Sequence, residues 1–146
     1  MNPSHRRSPA EDIEDDDLTR SVIGCAITVH RALGSGLLES AYDECLCYEL
    51  ARARLTFVRH LVLPIIYDGV RIAAGYKPDI IIENELIVEL KTVSEFQPVH
   101  SAQLLTYLRL SGITRGLLMN FHATQLTKGI KRIVLSPPPR FPVVPP

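Results

Sequence analysis

Between Leu18 and Leu33, residues Val22, Ile23, Ala26, Ile27, Val29 and His30 recur at spacings of three and four. That spacing puts them on one face of a helix, and the Gly34-Ser35-Gly36 run behind it is a stop signal. A second helix is expected from about Leu38 to Ala53, with Tyr42, Leu46 and Leu50 on its stripe and Cys45 and Glu49 flanking. The pattern then changes. Thr56 to Tyr67 is rich in Val, Ile and Leu and reads as a strand, with Pro64 marking an edge or a bulge. Asp68-Gly69 is a hairpin turn signal, Val70 to Ile82 a second strand, Glu83-Asn84 another tight turn, and Glu85 to Lys91 a third strand. Together these predict an antiparallel meander.

After a loop from Thr92 to Pro98, helical spacing returns from about Val99 to Ser111 and ends at Gly112. Arg115 to Phe121 reads as a fourth strand and Ile130 to Leu135 as a short fifth. A helix crossing between the third and fourth strands implies that this pair is parallel. The expected fold class is α/β, a mixed four- to five-stranded sheet flanked by helices. The expected division is an acidic, disordered tail over 1–17, one domain over 18–135, and a Pro-rich polyproline II tail over 136–146, which could dock a protein partner.

Composition narrows the class without changing the picture. At 146 residues, 46% apolar and 22% charged, the chain suits one globular domain. No run approaches the roughly eighteen apolar residues of a membrane span, and MNPSHRRSPAEDIEDDD has no apolar segment of the secretory kind, so a cytoplasmic protein is the default. Cys25, Cys45 and Cys47 are odd in number and lack a C-x-x-C pair, so buried reduced thiols are expected. Net charge is zero, but residues 1–17 set six acids against Arg6 and Arg7. The domain is therefore mildly basic, which permits a polyanionic partner without requiring one. A homodimer is also compatible with the sequence. No Gly-rich phosphate loop with a following Lys-Ser/Thr is present, so ATP hydrolysis has no support.

The candidate chemistry lies in Asp79 and in Glu89-Leu90-Lys91. Strand alternation puts Glu89 and Lys91 on one face and Leu90 on the other. Counting back from the Glu83-Asn84 turn, Asp79 falls opposite Val88 or Glu89, so the two carboxylates become cross-strand neighbours. Carboxylates that close repel unless a cation lies between them, and a hard divalent ion such as Mg²⁺ takes oxygen ligands of this kind. A lysine on the same face could orient a water. These are the parts of metal-assisted phosphodiester hydrolysis. The plainer reading is an ion pair at a strand end. Gln103 and Tyr107, at i and i+4, share a helix face and would brace the site or sit at the water boundary. Glu39 opens the second helix, where an acid also suits the helix dipole. His30 and His100 read as hydrogen-bonded structural residues, and Lys128, Lys131 and Arg132 as a solvated strand edge.

Gly36-x-x-Glu39-x-x-Tyr42, within HRALGSGLLESAYDECLCYEL, resembles the defining motif of the bacterial GxxExxY protein family. YKPDIIIENELIVELKTV, HSAQLLTYLRLSG and RGLLMNFHATQLTKGIKRIVL follow in the matching order, so the resemblance covers nearly all of 18–135. That family is similar to the PD-(D/E)XK nucleases, which implies a restriction-endonuclease-like α-β-β-β-α-β core. The resemblance implies that Glu39 is the first-helix acid, Asp79 the motif aspartate, Glu89 and Lys91 the Glu-x-Lys pair, and Gln103 and Tyr107 the Gln-x-x-x-Tyr pair. The expected activity is Mg²⁺- or Mn²⁺-dependent cleavage of nucleic acid, foremost DNA. Asp79, Glu89 and the Leu90 carbonyl would hold one ion, and Glu39 a second ion or a water beside the first. A nuclease fold kept only for binding nucleic acid or protein is the alternative.

Overall fold

The computed structural model describes residues 16–136. Helices α1 (Asp17–Leu33) and α2 (Glu39–Arg52) come first. Strands β1 (Phe57–Arg59), β2 (Ile65–Tyr67), β3 (Val70–Ile72), β4 (Ile80–Ile82) and β5 (Leu86–Lys91) follow. Helix α3 (Pro98–Ser111), β6 (Arg115–Asn120), a short 3₁₀ turn (Leu126–Gly129) and β7 (Ile130–Val134) complete the order. Five strands form one sheet in the order β1-β4-β5-β6-β7, while β2 and β3 pair only with each other. β5 and β6 are parallel and the other sheet neighbours antiparallel. The mixed sheet with flanking helices is the expected restriction-endonuclease-like fold.

Two long strands of the sequence reading are each broken. Thr56–Tyr67 divides into β1 and β2 because His60 takes a left-handed φ of 53° and Pro64, lacking an N–H, sits in the connection. Val70–Ile82 divides into β3 and β4 around Gly75, at φ 81°, and Pro78. The meander is therefore replaced by a direct β1–β4 pairing, with residues 61–78 leaving the sheet as an excursion tipped by the β2–β3 hairpin. The acidic segment also ends earlier than expected. Asp16 caps α1 by accepting the Thr19 N–H at 2.8 Å and pairs with Arg115, and Asp17 is already helical. The tails 1–15 and 137–146 lie outside the described residues.

Strand alternation sorts the core into two layers. Ile80, Ile82, Leu86, Val88 and Leu90 pack under α1 and α2 with Val22, Ala26, Tyr42, Leu46 and Leu50. Ile81, Ile87 and Leu118 pack under α3 with Leu104, Tyr107 and Leu108. A Cβ at Gly116 would lie 2.9 Å from Leu104, so the small residue lets α3 sit close to β6. All three cysteines are free. Cys47 is buried as expected, whereas Cys25 and Cys45 are only partly so, because they flank the α2 interface instead of filling it. No described helix is long and apolar enough to cross a membrane.

Candidate active site

The β4–β5 turn sets the geometry. Glu83 and Asn84 both have positive φ, 52° and 54°, and the Glu85 N–H bonds the Ile82 carbonyl at 3.0 Å, which makes a type I′ turn. The register that follows pairs Ile82 with Leu86 and Ile80 with Val88. One rung further, Asp79 stands opposite Glu89. Both share the α3 face with Lys91, by the same alternation that sends Ile81 and Ile87 there.

The ladder ends here and the side chains continue its hydrogen bonding. The Asp79 N–H donates to Glu89 Oε1 at 2.6 Å, and the Leu90 N–H donates to Asp79 Oδ2 at 2.8 Å. Each carboxylate thus has one oxygen fixed by backbone. Lys91 Nζ lies 4.0 Å from Glu89 Oε2 and donates to Gln103 Oε1 at 3.3 Å. Gln103 Nε2 in turn donates to the Tyr107 hydroxyl at 3.0 Å. The helix pair expected to face the site does so, as a relay from Tyr107 through Gln103 to Lys91.

Glu39 arrives from the other layer, as the first residue of α2. The residues around it explain why. Gly36 has φ 104°, which favours glycine, and the buried Tyr42 hydroxyl donates to the Gly34 carbonyl at 2.6 Å and accepts the Leu37 N–H at 3.2 Å. Tyr42 stacks on Phe121 at 4.5 Å between ring centroids. The tyrosine therefore pins the loop, and the loop delivers Glu39.

The three acids are all raised. Burial, followed by the Asp79 charge, pushes Glu89 up to about 8. Asp79 is raised as well, chiefly by burial, against the Leu90 N–H and with Asp43 adding to the rise. Glu39 is raised by burial, and Lys91 offsets part of this while Asp79 and Asp43 add to it. Burial is the largest cause in all three, and Lys91 offsets only part of it. The donors are hard oxygens, and Asp79 Oδ1 and Glu89 Oε2 are not the oxygens that the backbone N–H groups fix, so the pair fits a hard divalent cation. Among the described residues, however, no three His, Cys, Asp or Glu side chains form a group that could hold an ion. Glu39, expected to serve a second ion or a water beside the first, lies on α2 within electrostatic reach of Lys91, Asp79 and Asp43.

A family model of the PD-(D/E)XK nuclease superfamily matches residues 16–133. The chain belongs to that superfamily. No curated protein matches it, and no solved structure does. In this PD-(D/E)XK domain, Asp79 stands just before β4, and Glu89 and Lys91 stand at the end of the adjoining β5.

Sequence reasoning missed a second group at this PD-(D/E)XK site. Asp43, one helical turn after Glu39, is buried and meets Arg59 Nη2 at 2.7 Å and His60 Nε2 at 3.8 Å. The same Arg59 nitrogen reaches Glu44 at 2.9 Å, and the His60 N–H bonds the Asp79 carbonyl at 3.1 Å. The i, i+4 spacing of Glu39 and Asp43 was the available signal. Asn120 was also missed. Its side chain accepts the Val93 N–H at 3.1 Å and donates to the Val93 carbonyl at 2.7 Å, tying down the chain just past Lys91. The residues read as structural behave so: His30 Nε2 meets the Ala123 carbonyl at 2.8 Å, and His100 Nδ1 accepts the Gln97 N–H at 2.9 Å in a capping box. Lys131, on edge strand β7, reaches Ser101 at 2.9 Å.

Proposed function

We propose that the chain is a cytoplasmic, Mg²⁺- or Mn²⁺-dependent nuclease of the GxxExxY group, hydrolysing phosphodiester bonds of DNA or a related nucleic acid. The observation that carries this reading is the cross-strand pair of half-buried Asp79 and buried Glu89, each with one oxygen held by a backbone N–H and both raised chiefly by burial. Asp79, Glu89 and the Leu90 carbonyl would hold the ion, and Glu39 would support a second ion or a nearby water. When bound, the cation would neutralise the phosphate and promote loss of a proton from the attacking water. Lys91 positions that water at the open end of β5. Gln103 holds the ammonium, and Tyr107 holds Gln103. Cleavage of single- and double-stranded DNA and RNA should require added metal and fall at least about a hundredfold in Glu89→Ala and Lys91→Ala, as expected when transition-state charge loses its partners. Equal activity in wild type and both variants would refute the assignment.

A second reading is a nuclease fold that binds nucleic acid or protein without turnover. It draws on the two backbone hydrogen bonds that already occupy one oxygen of each acid and on the lack, among the described residues, of a third side chain grouped with them as a ligand. Calorimetric titration with Mg²⁺ or Mn²⁺ separates the two. Binding that disappears in Asp79→Asn supports the enzyme; no binding supports the module.

A further inference from the structure

Asp43 is a buried acid with no part in the proposed chemistry. It lies on α2 one turn after Glu39. Beyond burial, the main cause, its charge adds to the rise of both Glu39 and Asp79 instead of easing them. Both of its oxygens face protein donors. Oδ1 accepts Arg59 Nη2 at 2.7 Å and the Cys47 thiol at 3.6 Å, and Oδ2 lies 3.8 Å from His60 Nε2. Burial first, and then the Asp43 charge, push that thiol up to about 12, so it stays a donor. The group is not arranged for stability alone. Arg59 Nε is buried without a hydrogen-bond partner among the described residues. A buried ion pair, moreover, often stabilises no more than well-packed apolar side chains would.

What Asp43 holds is the end of an edge strand. β1 has three residues and is paired to β4 at the rim of the sheet. Its last residue, Arg59, stands opposite Ile80, and the next N–H, that of His60, bonds the Asp79 carbonyl at 3.1 Å. Past His60 the chain leaves the sheet. His60 itself has a φ of 53°, a conformation that a non-glycine residue holds only when its surroundings impose it. A strand end with an exposed outer edge is where local opening begins. The two residues that flank the Asp79 backbone there both have their side chains drawn to Asp43.

We infer that Asp43 is a positioning residue: through Arg59 and His60 it fixes the end of β1 against Asp79, and so sets the strand end that carries one acid against the helix that carries another, Glu39. The inference rests on the nuclease reading for its kinetic readout only. Asp43→Asn keeps the size and an acceptor oxygen but drops the charge that draws Arg59. Amide exchange, followed by NMR on the full chain in EDTA, reports the carboxylate pair directly, because the Asp79 and Leu90 N–H groups donate to Glu89 and Asp79. Both should exchange at least about tenfold faster relative to the amide of Leu118, which is buried in the middle of β6. With Mn²⁺ and a labelled DNA oligonucleotide, kcat should fall at least about tenfold and KM stay within about twofold, since displaced groups cost rate more than substrate binding. Gly116→Ala, at the other end of β6 from the Lys91 partner Asn120, supplies the pattern of a purely structural loss, in which the three amides move together. That uniform pattern in Asp43→Asn overturns the inference, and so does an unchanged kcat. If Asp43→Asn does not fold, Arg59→Lys, whose single ammonium replaces the fork shared by Asp43 and Glu44, should show the same selective exchange. A uniform change there overturns the inference too. Selective exchange in a chain that cuts nothing sinks the nuclease and leaves the positioning role. Metal-dependent cutting with equal kcat in wild type and Asp43→Asn sinks the positioning role and leaves the nuclease.

Discussion

Replacing Glu89 by glutamine should stabilise the metal-free protein in alkaline buffer while removing its chemistry. Glu89 is raised from 4.5 to about 8 in the folded chain. A raised carboxyl favours folding while protonated, so its contribution is complete below pH 4.5 and is lost as pH climbs through 8. At about 1.4 kcal/mol per pH unit, on the order of 1 kcal/mol is lost by pH 5.5 and several kcal/mol by pH 9, a fall of about 3 kcal/mol between them. The substituted amide keeps an oxygen for the Asp79 N–H but cannot ionise, so the variant's fall should be smaller by that amount. Asp79 is relieved by the same change, so the figure belongs to the pair. Urea unfolding in EDTA should be followed by far-ultraviolet circular dichroism, since the chain has no tryptophan. Taking the difference between the proteins at each pH cancels every other titrating group. Parallel pH dependences in the two proteins would refute the premise that Glu89 is ionised against its environment. Mg²⁺ added at pH 9 should restore the wild type and not the variant.

Three further outcomes follow from the packing. Tyr42→Phe removes the hydroxyl that bonds Gly34 and Leu37, and should cost about 1–3 kcal/mol in urea unfolding while lowering metal-dependent activity through Glu39. Gly116→Ala forces a methyl against Leu104, and should lower stability by about 1–3 kcal/mol, read as a fall in thermal midpoint. Asn120→Ala strands the Val93 N–H and carbonyl together with the His122 N–H, and should cost roughly 2–5 kcal/mol, with faster amide exchange at Val93 as a local check.

The helices, the parallel β5–β6 pair and the Asp79–Glu89 rung were legible in sequence because each follows from short-range periodicity or from one tight turn. The division of the β1-to-β4 region was not. Val, Ile and Leu at 61–66 look the same in a sheet strand and in an excursion, and only the left-handed His60 and the pairing of β1 with β4 tell them apart. The Asp43–Arg59–His60 group was hidden for a related reason. It joins α2 to β1 across the chain, and no local spacing reports a salt bridge between elements. Glu39 could be named from its motif, but its arrival from the opposite layer could not.

The Gly36-x-x-Glu39-x-x-Tyr42 motif, once folded, divides its labour: glycine bends, tyrosine anchors, and glutamate opens α2 within electrostatic reach of Lys91 and Asp79. An inactive Tyr42 variant would therefore be easy to misread. It would look like the loss of a reactive phenol, when the ring is sealed against Phe121 and its hydroxyl is already committed to the Gly34 carbonyl. Kinetic screens of such motifs would mistake scaffolding for reagents unless folding and metal affinity are measured beside turnover.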